Sequence, residues 1–153
     1  MVGPRYVSQV PNTSAEPVVS RLAAPRLQRV RSIDEVLAEA RSRILRYSPL
    51  EAAARMAAGA LLVDIRPAAN RAAEGSVPGA LVIEMTVLEW RLDPQSDFRI
   101  PEATGHDVEM IVLCNEGYSS SLAADSLREL GLIHTADVIG GFRAWVADGL
   151  PVC

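Results

Sequence analysis

The chain has 153 residues, of which 49% are hydrophobic, and a formal net charge of -4 at pH 7. This apolar content suffices for one compact domain with its own core. The charge gives no reason to expect binding to nucleic acid or to an anionic membrane, because both depend on clustered lysine and arginine. No signal-peptide pattern and no apolar run of bilayer length is visible, which favours a cytoplasmic protein.

Two cysteines, Cys114 and Cys153, are too few for a disulfide framework. A reducing cytoplasm would leave both as thiols. A free thiol is therefore available for chemistry.

Segment 1–31 is predicted to be an extended or disordered arm, because prolines are scattered among small and polar residues with no sustained period of two or of 3.6. An additional helix is predicted over 32–46. Ser32 and Glu35 form the capping-box pattern, and apolar residues follow them at helical spacing.

The remaining chain, 47–153, alternates between helical and strand patterns. Ser48 is an N-cap followed by proline at the first helical position, and this helix ends at Gly59. Strands are predicted at 60–65, 80–83, 110–114 and 136–139, with helices at 67–74, 86–91 and 120–130. The alternation predicts an α/β domain with a parallel sheet, whose ligand crevice lies at the carboxyl ends of the strands.

Cys114 stands at the end of one predicted strand, and a short polar loop connects it to a helix from about Ser120 to Leu130. A loop bent around a cysteine at a helix N-terminus directs N–H groups and the positive end of the helix dipole inward. Such a cradle lowers the pKa of a thiol and favours the nucleophilic thiolate. Gly117 suits a bend that needs positive φ. The alternative is that Cys114 is a small buried hydrophobic residue.

Four segments resemble the signature segments of the rhodanese-like domain, in that family's order and roughly its spacing. They are LLVDIRP (61–67), EGSVPGA (74–80), IVLCNEGYSS (111–120) and GGFRAWVADGLPV (140–152). The resemblance covers about 47–152 and implies a three-layer α/β/α fold with a mainly parallel central sheet of about five strands. It implies a single-domain sulfurtransferase in which Cys114 accepts a sulfane sulfur as a persulfide and passes it to a thiol or another nucleophilic acceptor.

The resemblance also assigns roles to residues. Cys114 is the catalytic residue, and the loop that would hold the anionic sulfur consists of Asn115, Glu116, Gly117, Tyr118, Ser119 and Ser120. Asp64 and Arg66 match the family's D-x-R and are expected to form a buried or half-buried pair that braces neighbouring loops. Arg91 and Arg143 are candidates for positive potential near the mouth of the site, against the alternative that each is simply an exposed arginine. The chemistry requires no metal or organic cofactor.

Two departures from the family pattern concern the sulfur donor. Many sulfurtransferases have C-x-x-G-x-R, whose arginine helps to hold an anionic donor, whereas this chain has Ser119 at that place. Glu116 adds a negative charge that would repel thiosulfate and raise the pKa of the thiol. We therefore expect a small persulfide donor, or weakly used thiosulfate, and a thiol or protein acceptor.

Other functions stay open from the sequence. A non-catalytic rhodanese-like binding module and a persulfide or redox sensor are alternatives to the enzyme. Related phosphatases carry an arginine six places after the cysteine, where this chain has Ser120, so phosphatase activity is not favoured. Trp90 and Tyr118 are candidates for lining a donor pocket, with core packing for Trp90 and an exposed rim position for Tyr118 as alternatives.

Overall fold

The computed structural model describes residues 29–153, so the arm predicted over 1–31 lies almost wholly outside the described residues. The helices are α1 (Ile33–Arg43), α2 (Pro49–Ala57), α3 (Ala68–Glu74), α4 (Leu88–Leu92), α5 (Ser119–Glu129) and α6 (Gly141–Ala147), with a 3-10 helix at Met85–Val87. The strands are β1 (Leu45–Tyr47), β2 (Leu61–Asp64), β3 (Leu81–Val82), β4 (Met110–Leu113) and β5 (Thr135–Val138).

The five strands form one sheet in the order β1-β5-β4-β2-β3, and every neighbouring pair is parallel. Side chains of the central strand β4 alternate between the two faces. Met110 and Val112 belong to a core with α4 and α5, whereas Ile111 and Leu113 belong to a second core with α2 and α6. The predicted three-layer α/β fold with a parallel five-stranded sheet is confirmed.

Capping sequences define the starts of the first two helices as predicted. Ser32 and Glu35 form a reciprocal capping box at α1, and Ser48 and Glu51 form one at α2, whose first residue is Pro49. Each box satisfies two N–H groups that have no partner within the helix.

The predicted helix over 32–46 differs from the structure at its C-terminal end. The helix α1 ends at Arg43, and residues 45–47 form β1, which pairs with β5 at the edge of the sheet. Ile44 and Leu45 fit the spacing of a helix as well as that of a strand. These residues form a strand because they pair with β5, about 90 residues away in the chain. A local sequence pattern cannot predict such a pairing.

Parallel strands bring their carboxyl ends to one edge of the sheet. Cys114 follows β4, Asp64 ends β2, and Asp137 lies near the end of β5, which is hydrogen-bonded to β4. These three side chains, which follow or end separate strands, therefore lie at the same edge of the sheet. Among residues 29–153, no helix is long and apolar enough to span a bilayer.

Candidate active site at the carboxyl edge of the sheet

The Sγ atom of Cys114 lies inside the loop that joins β4 to α5. The N–H groups of Gly117 and Ser120 donate to it at 3.1 and 3.4 Å. The Ser120 hydroxyl lies 3.1 Å from the same sulfur. Only 5% of Cys114 is exposed, so these groups rather than water form most of the polar surroundings of the sulfur.

The carbonyl groups of the loop are bound on its outer side. The N–H groups of Phe142 and Arg143, in the first turn of α6, donate to the carbonyl oxygens of Cys114 and Asn115 at 2.8 and 3.1 Å. Because the peptide unit is planar and trans, a fixed carbonyl also fixes the direction of the following N–H group. The helix α6 thus helps to keep carbonyl oxygens away from Sγ.

The approach of α6 to the loop depends on Gly141. Its φ is 63°, and a Cβ atom added there would lie 2.5 Å from the carbonyl oxygen of Cys114. No side chain fits in that gap, and a left-handed φ favours glycine in any case. The second glycine of the GGFRAW segment is therefore required for the contact between loop and helix.

Hydrogen bonding controls the protonation of Cys114. Burial by itself raises the pKa of the thiol, but the hydroxyls of Ser120 and Ser119 and the N–H groups of Ser120 and Gly117 outweigh it. The net result is a pKa below the ordinary value of a cysteine. A larger fraction of Cys114 is then thiolate near neutral pH.

Beneath the sulfur lies a set of polar side chains that we call the floor, which consists of Ser120, Ser121, Asp137 and Arg46. The hydroxyls of Ser120 and Ser121 lie 2.9 and 2.7 Å from Oδ2 of Asp137. Arg46 binds the same carboxylate in a bidentate manner, with distances of 2.8 and 3.2 Å. Asp137 is completely buried, so a charged pair stabilised by two hydroxyls supports the loop from below.

The hydroxyl of Ser120 has one hydrogen and two neighbours that can accept it. While Cys114 is a thiol, the S–H group donates to Ser120 Oγ and the Ser120 hydroxyl donates to Asp137. After deprotonation the sulfur needs donors, and the Ser120 hydroxyl can turn towards it. Asp137 keeps the Ser121 hydroxyl and Arg46 as donors. The floor can therefore stabilise both protonation states.

On the solvent side, four residues form what we call the rim: Glu74, Asn115, Glu116 and Arg143. Arg143 pairs with Glu116 at 2.5 Å and lies 3.9 Å from Glu74. The Asn115 amide lies between Glu74 and Arg143, with its nitrogen 3.2 Å from Glu74 and its oxygen 3.3 Å from Arg143. The negative charge expected at Glu116 is thus paired with the positive charge of Arg143 in α6.

Sequence reasoning missed Arg41, which reaches the loop from α1. Its Nη2 donates to the carbonyl oxygen of Gly117 at 2.7 Å and its Nε to Ser121 Oγ at 3.1 Å. Its guanidinium also lies 5.6 Å from the ring centre of Tyr118. Contacts across about 80 residues of chain leave no local pattern that would predict them.

Three of the four floor residues, Ser121, Asp137 and Arg46, were also missed. Asp137 carried one signal, since it is a charged residue within an apolar strand and such a residue needs a buried partner. Arg46 lay in the predicted last turn of α1 and had no apparent partner. Only the pairing of β1 with β5 places Arg46 beside Asp137.

Asp64 and Arg66 form an ion pair at 2.8 Å in which both side chains are fully buried. Arg66 also donates to the carbonyl oxygen of Gly75 at 2.8 Å and lies 3.7 Å from the ring centre of Phe142. The pair therefore connects the end of β2 to the start of the 75–80 loop and to α6.

Arg91 and Trp90 lie in the segment around α4, apart from the contacts of the Cys114 loop. Arg91 is exposed and donates to the carbonyl oxygen of Phe98 at 2.6 Å. Trp90 is 58% exposed, so it does not pack in the core. It lines a cavity of about 400 Å³ with Glu89, Asp93, Ser96 and Leu130. Tyr118, which belongs to the Cys114 loop, has an exposed side chain.

A family model described as "Rhodanese-like domain" matches residues 48–148. An adenylyltransferase and sulfurtransferase from Zea mays is 36% identical over 91 residues, which cover 60% of this chain and 18% of the plant protein. The chain thus spans about a fifth of the length of the plant relatives. A sulfurtransferase from Allochromatium vinosum is 33% identical over 92 residues, which cover 60% of this chain and 77% of that protein.

Solved structures show the same fold. A protein of unknown function from Rhodopseudomonas palustris, described as a possible tyrosine phosphatase, has a TM-score of 0.73 and 32% identity over 81% of this chain and 96% of its own. The polysulfide-sulfur transferase homodimer from Wolinella succinogenes has a TM-score of 0.62 at 20% identity, over 78% of this chain and 85% of its own.

Proposed function

The chain belongs to the rhodanese-like domain family, and from this premise we propose that it transfers sulfane sulfur through a persulfide on Cys114. Relatives named sulfurtransferases support an activity of this general kind. One observation carries the proposal for this site: two N–H groups and a hydroxyl surround Sγ. The carbonyl oxygens of Cys114 and Asn115 are bound outside the loop.

Loading begins when the thiolate of Cys114 attacks the outer sulfur of a donor persulfide. A new S–S bond forms to Cys114, and the S–S bond of the donor breaks. The electron pair of that bond leaves on the inner sulfur of the donor, which departs as a thiolate. Cys114 then carries one added sulfur, whose proton is released to water near neutral pH.

Discharge follows the same chemistry in the other direction. The thiolate of an acceptor attacks the outer sulfur on Cys114, and the S–S bond to Cys114 breaks. Cys114 leaves as a thiolate and the acceptor carries the persulfide. The two steps move one neutral sulfur atom without net oxidation, so the cycle needs no redox partner.

The N–H groups of Gly117 and Ser120 stabilise Cys114 as an anion before loading and as a leaving group in discharge. Hydrogen bonds from fixed backbone donors to a sulfur anion are charge-assisted and require no reorganisation during the reaction. The floor keeps the Ser120 hydroxyl available as a third donor. These groups therefore act in both steps.

The rim favours a small persulfide over thiosulfate as donor. Glu116 pairs with the exposed guanidinium of Arg143, and position 119 is a serine. A dianion consequently meets one exposed carboxylate and no loop arginine. We propose a thiol or protein thiol as acceptor, and a cytoplasmic location in which reduced thiols are maintained.

A phosphatase is disfavoured by the same geometry. The position at which related phosphatases carry arginine is Ser120, which is fully buried and bonded to Asp137. A buried serine cannot clamp the oxygens of a phosphate ester. Hydrolysis of an aryl phosphate by the protein would thus oppose our assignment.

Mass spectrometry of the protein after incubation with an organic persulfide tests the proposal. We expect the mass of one sulfur atom to be added at Cys114 and to disappear when a thiol acceptor is supplied. Cys153→Ser is the matched control, because it removes the other thiol and should load normally. Loading that persists in Cys114→Ser, or an unmodified Cys114 in the control, would refute the proposal.

A further inference from the structure

We propose that Arg41 of α1 is a positioning residue of the Cys114 loop, which its guanidinium connects to α5. The helix α1 precedes the segment 48–148 that matches the family model. An element outside the matched domain would thus form part of the site. The inference rests on the proposed function only for its consequence in sulfur transfer.

The first argument is the number of donors on one carbonyl group. The carbonyl oxygen of Gly117 accepts from Arg41 at 2.7 Å, with Arg46 and Ser121 each at 3.4 Å. The N–H group of the same residue donates to Sγ. Gly117 has a φ of 82° and is glycine, so its backbone is the most easily rotated part of the loop. Arg41 makes the shortest of the bonds that oppose such rotation.

The second argument is the geometry of the Arg41 side chain. Its Nε binds Ser121 in the first turn of α5, while its Nη2 binds Gly117 in the loop. One planar guanidinium thus connects the loop to the helix that follows it, and its face lies near the ring of Tyr118. A fixed distance between Gly117 and α5 keeps the N–H groups of Gly117 and Ser120 directed at one sulfur.

The third argument is charge. The charged side chains around the loop are Arg41 of α1, Arg46 of β1, Glu74 of α3, Glu116 of the loop, Asp137 of β5 and Arg143 of α6. Arg46 pairs with Asp137, and Arg143 pairs with Glu116. Within residues 29–153, Arg41 binds only neutral groups of the loop and of α5. Its positive charge is therefore not neutralised by the neighbouring carboxylates.

Alkylation of Cys114 by iodoacetamide as a function of pH tests the inference independently of sulfur transfer. In a Cys153→Ser background, we expect Arg41→Gln to raise the pKa of Cys114 and to lower the alkylation rate at pH 7 by about three- to tenfold. Arg43→Gln is the matched control. Arg43 lies on the same helix and binds Asp125 of α5, but it does not touch the loop, so its rate should stay within about twofold of the parent.

Equal rates for Arg41→Gln and Arg43→Gln would overturn the inference. If Arg41→Gln does not fold, Arg41→Leu replaces it, because leucine keeps a good helix former and apolar bulk at this position without the guanidinium. The two proposals fail separately. If Arg41→Gln slows alkylation but the parent protein forms no persulfide, only the proposed function is contradicted. If the parent forms a persulfide but Arg41→Gln and Arg43→Gln are alkylated at equal rates, only the role of Arg41 is contradicted.

Discussion

The floor and the rim of the Cys114 loop contain similar residues but differ in how deeply those residues are buried. Both contain a carboxylate paired with an arginine, but Asp137 of the floor is fully buried, whereas the side chains of Glu116 and Arg143 are 50% and 61% exposed. A buried pair depends on both partners, because either charge alone would stay desolvated. An exposed pair is screened by water and contributes little. We therefore propose that the floor controls the protonation of the sulfur and that the rim governs the choice of donor.

The largest difference between floor and rim should appear in the free energy of unfolding when one carboxylate is removed from each region. Asp137→Ala leaves Arg46 and two serine hydroxyls without their acceptor, and we expect a loss of about 3 kcal/mol in the free energy of unfolding. Glu116→Ala should lose less than about 1 kcal/mol. Urea denaturation of both variants measures the difference, and similar losses would remove the distinction between floor and rim.

A substitution beside the loop tests whether its carbonyl groups must stay outside. Gly141→Ala places a Cβ atom 2.5 Å from the Cys114 carbonyl oxygen, whereas a Cβ atom at Gly149, which has a similar φ of 72°, meets no atom within 4 Å. In both variants the left-handed backbone costs about 1 kcal/mol. We expect about 2 kcal/mol more from Gly141→Ala by urea denaturation, together with impaired loading of Cys114. Equal losses would show that the loop can move without cost.

Within the floor, Ser120→Ala removes the hydroxyl that lies nearest to the sulfur. We expect a higher pKa for Cys114 and an alkylation rate at pH 7 that is about tenfold lower. Ser126→Ala is the control on the same helix, because the Ser126 hydroxyl donates to Glu89 at 2.6 Å and not to the groups around the sulfur. An unchanged rate in Ser120→Ala would mean that the two N–H groups and the Ser119 hydroxyl hold the thiolate without the Ser120 hydroxyl.

The smallest effects belong to the rim and its neighbourhood. Ser119→Arg restores the arginine of the family pattern and should lower the KM for thiosulfate about threefold or more, because a cation attracts the dianion. Glu116→Gln should also lower the KM for thiosulfate, but by less, because the charge of Glu116 is already paired with Arg143. Steady-state kinetics with a persulfide as second donor provide the control. If neither change affects thiosulfate, the rim does not select the donor.

Part of the fold could be predicted from the sequence alone. The α/β alternation, the capping serines and the position of Cys114 at a strand end follow from local patterns, and the structure confirms them. The edge strand β1 does not follow, because three residues after a helix carry too little pattern to separate a strand from another helical turn.

Local sequence patterns also could not predict most contacts of the floor or the contact of Arg41 with the loop, because these contacts join distant parts of the chain. Arg46 and Asp137 are 91 residues apart in the chain, and Arg41 and Gly117 are 76 apart. Their contacts exist only after β1 pairs with β5 and α1 packs against α5. The residues Asn115 and Glu116 were predicted because they adjoin Cys114, and Arg143 was predicted as a source of positive charge near the site. Their contacts with one another and with Glu74 were not predicted, because Glu74 and Arg143 come from other elements.

The pKa of the Cys114 thiol tests the account most directly. The thiolate fraction rises with pH through the pKa, so a lowered pKa moves the rising limb of both alkylation and sulfur transfer to lower pH. Measured by alkylation in Cys153→Ser, the midpoint should lie clearly below about 8.5, the value of an ordinary cysteine. A midpoint at or above that value would show that burial prevails over the hydrogen bonds around Sγ, which contradicts the account.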